Sequence, residues 1–254
     1  MRLGCRLDGP ESAPALALFG SLGSTTNVWE PQLAAFASCL RVVRFDYPGH
    51  GGAPVPDRPV TVDGIAASAL GVLDELGIGR LAVCGLSLGG MVAMLLGASA
   101  PERVDRLVLA CTGAKIGTPE MWSERADLVR RNGTAAVAAG IRERWFTPAF
   151  RDSPAAEGVI GELLTIPAEG YARGCEAVGA FDFRSELGRI GQPVLVLAGA
   201  EDPVTPPDVL DPLVGGIANA ALVTLPDAAH LANVEQPDAF AAAVLSHLEE
   251  RAVA

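Results

Sequence analysis

From residue 80 the chain reads RLAVCGLSLGGMVAMLLGASA, an apolar run of strand formers that passes into a helical stretch through a lone serine set among glycines. A strand that turns directly into a helix needs small residues at the corner, and Gly85, Gly89 and Gly90 supply more of them than an ordinary turn requires. The backbone there must pack tightly, and so tight a turn pushes the side chain at its apex outward. Ser87 is therefore expected to stand exposed above the end of a strand, with the next amide, that of Leu88, at a helix amino terminus where it can stabilise negative charge.

Strand and helix alternate along much of the rest of the chain. ALALF (15–19), RVVRFD (41–46), DRLVLAC (105–111), QPVLVLAG (192–199) and ALVTLP (221–226) are short apolar runs of strand character. From Thr61, the stretch TVDGIAASALGVLDELG puts Ile65, Ala69, Val72, Leu73 and Leu76 on one helical face, with Thr61 as N-cap and Gly77 as stop. Further helices are expected at PDVLDPLVGG (207–216) and PDAFAAAVLSHLEERA (237–252). Near-continuous apolar strands between helices imply an α/β fold with a mostly parallel sheet covered on both faces. Between 113 and 185 the alternation breaks into helices with Arg-rich polar faces, ERADLVRRNG and AAVAAGIRERWF. This stretch is expected to be a helical cap inserted over the carboxyl ends of the strands, where open α/β sheets bind ligands. The division is 1–112 and 186–254 for the two parts of the core and 113–185 for the cap.

Composition limits the partners. A chain of 254 residues, 50% hydrophobic and 19% charged, suits a compact globule, and its net charge of −11 offers no basic face for nucleic acid. No run reaches about 18 uncharged apolar residues and the first residues hold no leader-like stretch, so no membrane association and a cytoplasmic location are expected. The cysteines, Cys5, Cys39, Cys84, Cys111 and Cys175, are scattered without a C-x-x-C pair and are expected as free buried thiols. With three histidines and no H-E-x-x-H arrangement, a metal centre has little to build on.

A serine at a sharp strand-to-helix turn has the geometry of a nucleophile, but it needs a histidine base and an acid to orient that base. VLVLAGAEDPVTPP ends a strand with Asp202, and LPDAAHLANVEQP follows a strand with His230. Asp202 is favoured over Glu201, Asp208 and Asp227, and the stretch TGAKIG after the preceding strand offers no carboxylate. The order Ser87, Asp202, His230 is that of α/β-hydrolases. Structural roles compete with each assignment: close packing at the glycines, a helix N-cap at Asp202, a backbone-held loop histidine at His230. His50 in PGHGG reads as a structural loop residue, and His247 as a solvated residue of the terminal helix.

The chain as a whole resembles the α/β-hydrolase superfamily, and it is similar to 3-oxoadipate enol-lactonases in SLGST followed by W and PQ, GLSLGGMVAM, APERVDRLVLA, ERWFTPAF, GCEAV and LAGAEDPVTPP. The resemblance implies that the amide of Leu22 is the second oxyanion donor beside that of Leu88. It departs from the lactonase pattern at Gly20, where a histidine or asparagine is usual, at Pro48, where an arginine is usual, and at Ala53, where a serine is usual. Both Gly20 and Pro48 are expected near the pocket mouth. The implied reaction is opening of a small ester or lactone by Ser87, with no cofactor and no metal. If the substrate is anionic, Arg125, Arg144 or Arg173 would hold it, and Trp122 and Trp145 would either fill the cap core or touch the substrate. A general carboxylesterase, a perhydrolase, a biosynthetic lactonase or cyclase, and a non-catalytic ligand-binding protein all remain compatible. A haloalkane dehalogenase is disfavoured because it needs a carboxylate at position 87.

Overall fold

Each apolar run forms a strand, and the strands join into one sheet in the computed structural model, which describes residues 2–249. Among the described residues the strands are β1 (Gly4–Asp8), β2 (Ala15–Phe19), β3 (Arg41–Asp46), β4 (Leu81–Leu86), β5 (Val104–Ala110), β6 (Val194–Gly199) and β7 (Ala220–Leu225). Their spatial order is β1-β3-β2-β4-β5-β6-β7; β1 runs antiparallel to β3 and every other neighbouring pair is parallel. β6 is buried along its whole length and β2 and β4 along nearly all of theirs, which is why they read as unbroken apolar runs rather than alternating ones.

The helices are α1 (Glu30–Ala37), α2 (Val62–Glu75), α3 (Leu88–Ser99), α4 (Pro119–Asn132), α5 (Ala135–Trp145), α6 (Pro154–Thr165), α7 (Ala168–Ala180), α8 (Pro207–Gly216), α9 (Ala232–Glu235) and α10 (Pro237–Glu249). Helix α2 begins as its sequence dictates, the Thr61 hydroxyl accepting from the Gly64 amide, and Gly77 follows it with φ +66°. Helix α3 is apolar all round and lies buried against the sheet. The last residues of the expected terminal helix, 250–252, lie outside the described residues.

Helices α4 to α7 occupy the insertion between β5 and β6. Thr118 and Ser153 cap α4 and α6, each followed by proline at the first helical position, so both helices start where local chemistry requires. The insertion is fastened to the rest of the molecule by polar contacts. Glu162 of α6 accepts from Thr25 Oγ1 at 2.5 Å and Asn27 Nδ2 at 2.6 Å, and Glu235 of α9 accepts from the Thr147 amide and hydroxyl at 2.9 and 2.8 Å.

Several details differ from the sequence reading. β1 is an additional edge strand; its residues GCRLD are half polar and carry no apolar run to announce it. Cys84, Cys111 and Cys175 are buried free thiols, but Cys5 and Cys39 are exposed. His247 is not solvated: it is 7% exposed because it continues the inner face of α10 set by Phe240 and Val244. Among the described residues no helix is long and apolar enough to cross a membrane.

Candidate active site

Parallel strands bring the loops after β2, β4, β6 and β7 to one edge of the sheet, where Leu22, Ser87, Asp202 and His230 come together. Ser87 joins β4 to α3 with φ 57° and ψ −114°, a conformation that costs a non-glycine residue about 1–3 kcal/mol. The turn is over-determined by its surroundings. The Ser87 amide donates to the Ala110 carbonyl at 2.9 Å, and its own carbonyl accepts from Thr112 Oγ1 at 2.7 Å. The glycines answer to close approach: a Cβ on Gly85 would run into the Gly89 carbonyl, and one on Gly89 into the Phe19 carbonyl. The strained φ falls on the serine itself, which is what lifts its side chain off the sheet.

Ser87 Oγ lies 2.9 Å from His230 Nε2, and His230 Nδ1 lies 2.9 Å from Asp202 Oδ2. Both His230 and Asp202 are buried. Asp202 Oδ2 also accepts from Thr205 Oγ1 at 2.5 Å, while Oδ1 accepts from the Val204 and Thr205 amides at 2.7 and 3.3 Å. Burial alone would raise its pKa, but His230, Thr205 and Val204 outweigh that and hold the carboxyl below the ordinary value. An ionised carboxylate only accepts, so Nδ1 carries the imidazole proton and Nε2 is left to accept from the serine hydroxyl. Neighbours on both sides pin the histidine: the Ala229 amide donates to Glu235 Oε2 at 2.6 Å, and the Leu231 amide to the Trp145 carbonyl at 3.0 Å.

Among the described residues the N–H groups of Leu22 and Leu88 donate to no protein acceptor. The amides beside them are used, Gly89 by the Gly20 carbonyl at 3.1 Å and Gly23 by His50 Nε2 at 3.2 Å. Burial pulls the His50 pKa down to about 4, against the opposing effects of its Pro48 hydrogen bond and the Asp46 charge. Between about pH 4 and 6.5 the unfolded chain therefore binds a proton that the folded one refuses, and stability falls as the pH drops through that window. We expect up to roughly 3 kcal/mol of acid destabilisation from this group, seen as a lower thermal midpoint at pH 4.5 than at pH 7, with His50→Gln flattening the difference.

Ser87 and His230 open into a cavity of about 240 Å³, below the roughly 300–1,000 Å³ typical of sites for drug-sized ligands. Its base includes Ser21 and Leu22; its upper wall comes from the insertion through Trp122, Arg125, Arg144, Trp145 and Tyr171. The Arg125 guanidinium lies 4.8 Å from the centre of the Trp122 ring, and Trp122 Nε1 donates to the Ile116 carbonyl at 2.7 Å. Burial, then the nearby Arg125 charge, pushes the Arg144 pKa down. Among the described residues neither arginine makes an ion pair. Both tryptophans are buried and line the cavity, so filling the insertion and facing a ligand are the same role here.

Arg173 does not reach the cavity. It pairs with Glu169 at 2.7 Å and Glu176 at 3.2 Å on its own helix. Gly20 and Pro48 do not line the cavity either. Gly20 sits close to Ser24, whose hydroxyl a Cβ there would push aside at 2.6 Å, and Pro48 packs in the β3 loop with its carbonyl turned to His50. Sequence reasoning missed Tyr171, whose only signal was an aromatic residue on an insertion helix among small residues. It also missed Pro203 and Val204, which reach the cavity simply by following Asp202.

A serine on the β4 corner, an acid after β6 and a histidine after β7, in that chain order, define the class of fold and site. A profile of the Alpha/beta hydrolase family matches residues 20–243, and the chain belongs to that family of hydrolytic enzymes. It is 40% identical over 238 residues to 3-oxoadipate enol-lactonase 2 of Acinetobacter baylyi, covering 93% of this chain and 89% of that one. The crystal structure of the enol-lactonase from Burkholderia xenovorans superposes with a TM-score of 0.94 at 38% identity, covering 98% of this chain and 96% of that one. A hydrolase from Pseudomonas aeruginosa superposes with a TM-score of 0.93 at 42% identity, over 98% and 94% of the two chains. Hydrolysis of an ester or lactone bond in a small molecule is thus the activity of this chain at the level of its family.

Proposed function

We propose that the chain opens a small anionic lactone of the 3-oxoadipate enol-lactone type by covalent catalysis at Ser87. The observation that carries this reading is the hydrogen-bonded chain Ser87, His230, Asp202 at the base of a small cavity whose far wall holds two arginines without ion pairs. His230 takes the hydroxyl proton as Ser87 attacks the carbonyl carbon, and Asp202 stabilises the imidazolium. The amides of Leu22 and Leu88 hold the oxyanion. Collapse of the tetrahedral intermediate breaks the ring C–O bond, and the departing enolate takes the proton from His230 and becomes a ketone. Water, activated by His230, then frees the acid from Ser87. In this reading residues 1–112 and 186–254 form the catalytic core and 113–185 a cap that selects the substrate.

Arg125 and Arg144 suit the substrate carboxylate, since a guanidinium with no carboxylate partner in the free protein can donate to one as a bidentate pair. Enzymatically generated 3-oxoadipate enol-lactone should be hydrolysed rapidly and p-nitrophenyl acetate slowly. Ester turnover without lactone turnover would keep the serine mechanism and discard the substrate. Arg125→Met and Arg144→Met should each raise KM for the lactone by roughly 10- to 100-fold, the worth of a charge-assisted hydrogen bond, and leave KM for the neutral ester unchanged. An unchanged lactone KM in both variants would remove the carboxylate from the proposal.

A further inference from the structure

The loop after β3 grips the loop after β2 on either side of Leu22. Tyr47 O–H donates to the Gly20 carbonyl at 2.7 Å, Asp46 Oδ1 accepts from the Thr26 amide at 2.7 Å, and His50 Nε2 accepts from the Gly23 amide at 3.2 Å. His50 is 1% exposed, its ring set edge-on to Tyr47 at 5.9 Å, and Nδ1 lies 3.2 Å from the Pro48 carbonyl. A carbonyl only accepts, so Nδ1 holds the proton and the Nε2 lone pair faces Gly23. His50 does not line the cavity, and its acceptor nitrogen is already occupied, so it is no second base.

The N–H groups of Leu22, Gly23 and Ser24 follow one another in a buried turn. Ser24 donates to the Ser21 carbonyl at 3.1 Å and Gly23 to His50, which leaves the Leu22 N–H without a protein acceptor among the described residues. Take away the His50 acceptor and the Gly23 N–H becomes a buried orphan; the turn must then rotate to satisfy it, and Leu22 rotates with it. Gly23 has φ +90° and sits tight against Leu163 and Tyr171, so small rotations are felt on both sides of the peptide. We propose that His50 is a positioning residue for the oxyanion site, holding the Gly23 amide so that the Leu22 amide alone is presented to the reacting carbonyl oxygen. This rests on the reading of Ser87 as nucleophile and Leu22 as oxyanion donor. The pulled-down pKa of His50 agrees with an acceptor that stays neutral through the working range.

The test compares wild type, His50→Gln, which keeps an acceptor at a reach close to Nε2, and His50→Leu, which does not. Readouts are kcat and KM for p-nitrophenyl acetate and the inhibition constant of an alkyl trifluoromethyl ketone. Ser87 oxygen adds to the ketone carbon, its proton passes to His230, and the ketone oxygen carries the negative charge into the amide site. His50→Leu should lower kcat about 10- to 100-fold, less than outright loss of an oxyanion donor, with KM unchanged and ketone affinity falling by the same factor. His50→Gln should recover most of both. Wild-type values in a folded His50→Leu, or a loss of kcat without loss of ketone affinity, overturn the proposal. Should His50→Leu fail to fold, His50→Asn, too short to reach Gly23, takes its place with the same expected losses. A wild type that binds the trifluoromethyl ketone no better than the matching methyl ketone would instead sink the Ser87 and Leu22 reading on which the proposal stands.

Discussion

Replacing Ser87 by alanine should lower turnover of any ester or lactone substrate by at least about 10³-fold while the molecule stays folded. The expectation follows from geometry: Ser87 Oγ is the atom His230 Nε2 faces at 2.9 Å, and removing it leaves an oriented base with nothing to activate. Residual hydrolysis would come from amides and binding alone. The folded state should survive because the backbone bonds that hold the corner, to Ala110 and from Thr112, involve main-chain atoms of residue 87. Alanine inherits the strained φ of 57°, whereas glycine at the same place adopts it freely, so Ser87→Gly should be the more stable of two equally inactive variants. Steady-state turnover, labelling by a fluorophosphonate and a thermal melt check these points together. Activity within tenfold of wild type in Ser87→Ala would end the covalent mechanism.

The features that chemistry writes locally were legible in the sequence. Strands covered on both faces read as near-continuous apolar runs, so ALALF and VLVLAG could be read directly and RVVRFD by its valines and phenylalanine despite the buried Arg44 and Asp46, and the glycines around Ser87 could be read because a tight strand-to-helix corner leaves no room for a Cβ. The carboxylate and imidazole in line with Ser87 could be picked out because Asp202 follows shortly after β6 and His230 shortly after β7. What could not be read depends on how elements turn toward one another. Arg173 carries a local sign of its role, acidic partners four residues before it and three after it on one helix, Glu169 and Glu176, but that Arg125 and Arg144 both face the cavity follows only from how α4 and α5 are set against the core. Links across long stretches of chain were invisible for the same reason. Glu235 ties Thr147 to the Ala229 amide, and His50 reaches Gly23 from another loop, yet neither residue type announces such a partner. Gly20, a departure from the lactonase pattern, packs close to the Ser24 side chain and does not line the cavity.

Asp202→Asn should lower kcat by about 10⁴-fold with little change in KM, although it exchanges a single heavy atom and leaves the volume almost unchanged. Both carboxylate oxygens face donors: Oδ1 the amides of Val204 and Thr205, Oδ2 the Thr205 hydroxyl and His230 Nδ1. An asparagine has one acceptor and one donor. The backbone amides of Val204 and Thr205 cannot turn away, so they claim the asparagine oxygen and leave its NH₂ facing His230. The Thr205 hydroxyl can rotate to accept, but the imidazole can answer an N–H donor only by placing its lone pair on Nδ1 and its proton on Nε2. That tautomer donates toward Ser87 Oγ and cannot receive the hydroxyl proton, so the variant keeps its cavity and its nucleophile but has no base. Asp202→Ala, which imposes no tautomer, should be no worse than Asp202→Asn despite the larger deletion. Because the Asp202 carboxyl is held below its ordinary value, it stays ionised through the working range, and protonation of Asp202 should not set the acid limb of the wild-type kcat profile. Measuring kcat for all three proteins between pH 5 and 9 separates these effects. An Asp202→Asn enzyme that retained a tenth of wild-type turnover would mean that the carboxylate holds the loop and leaves the choice of tautomer to something else.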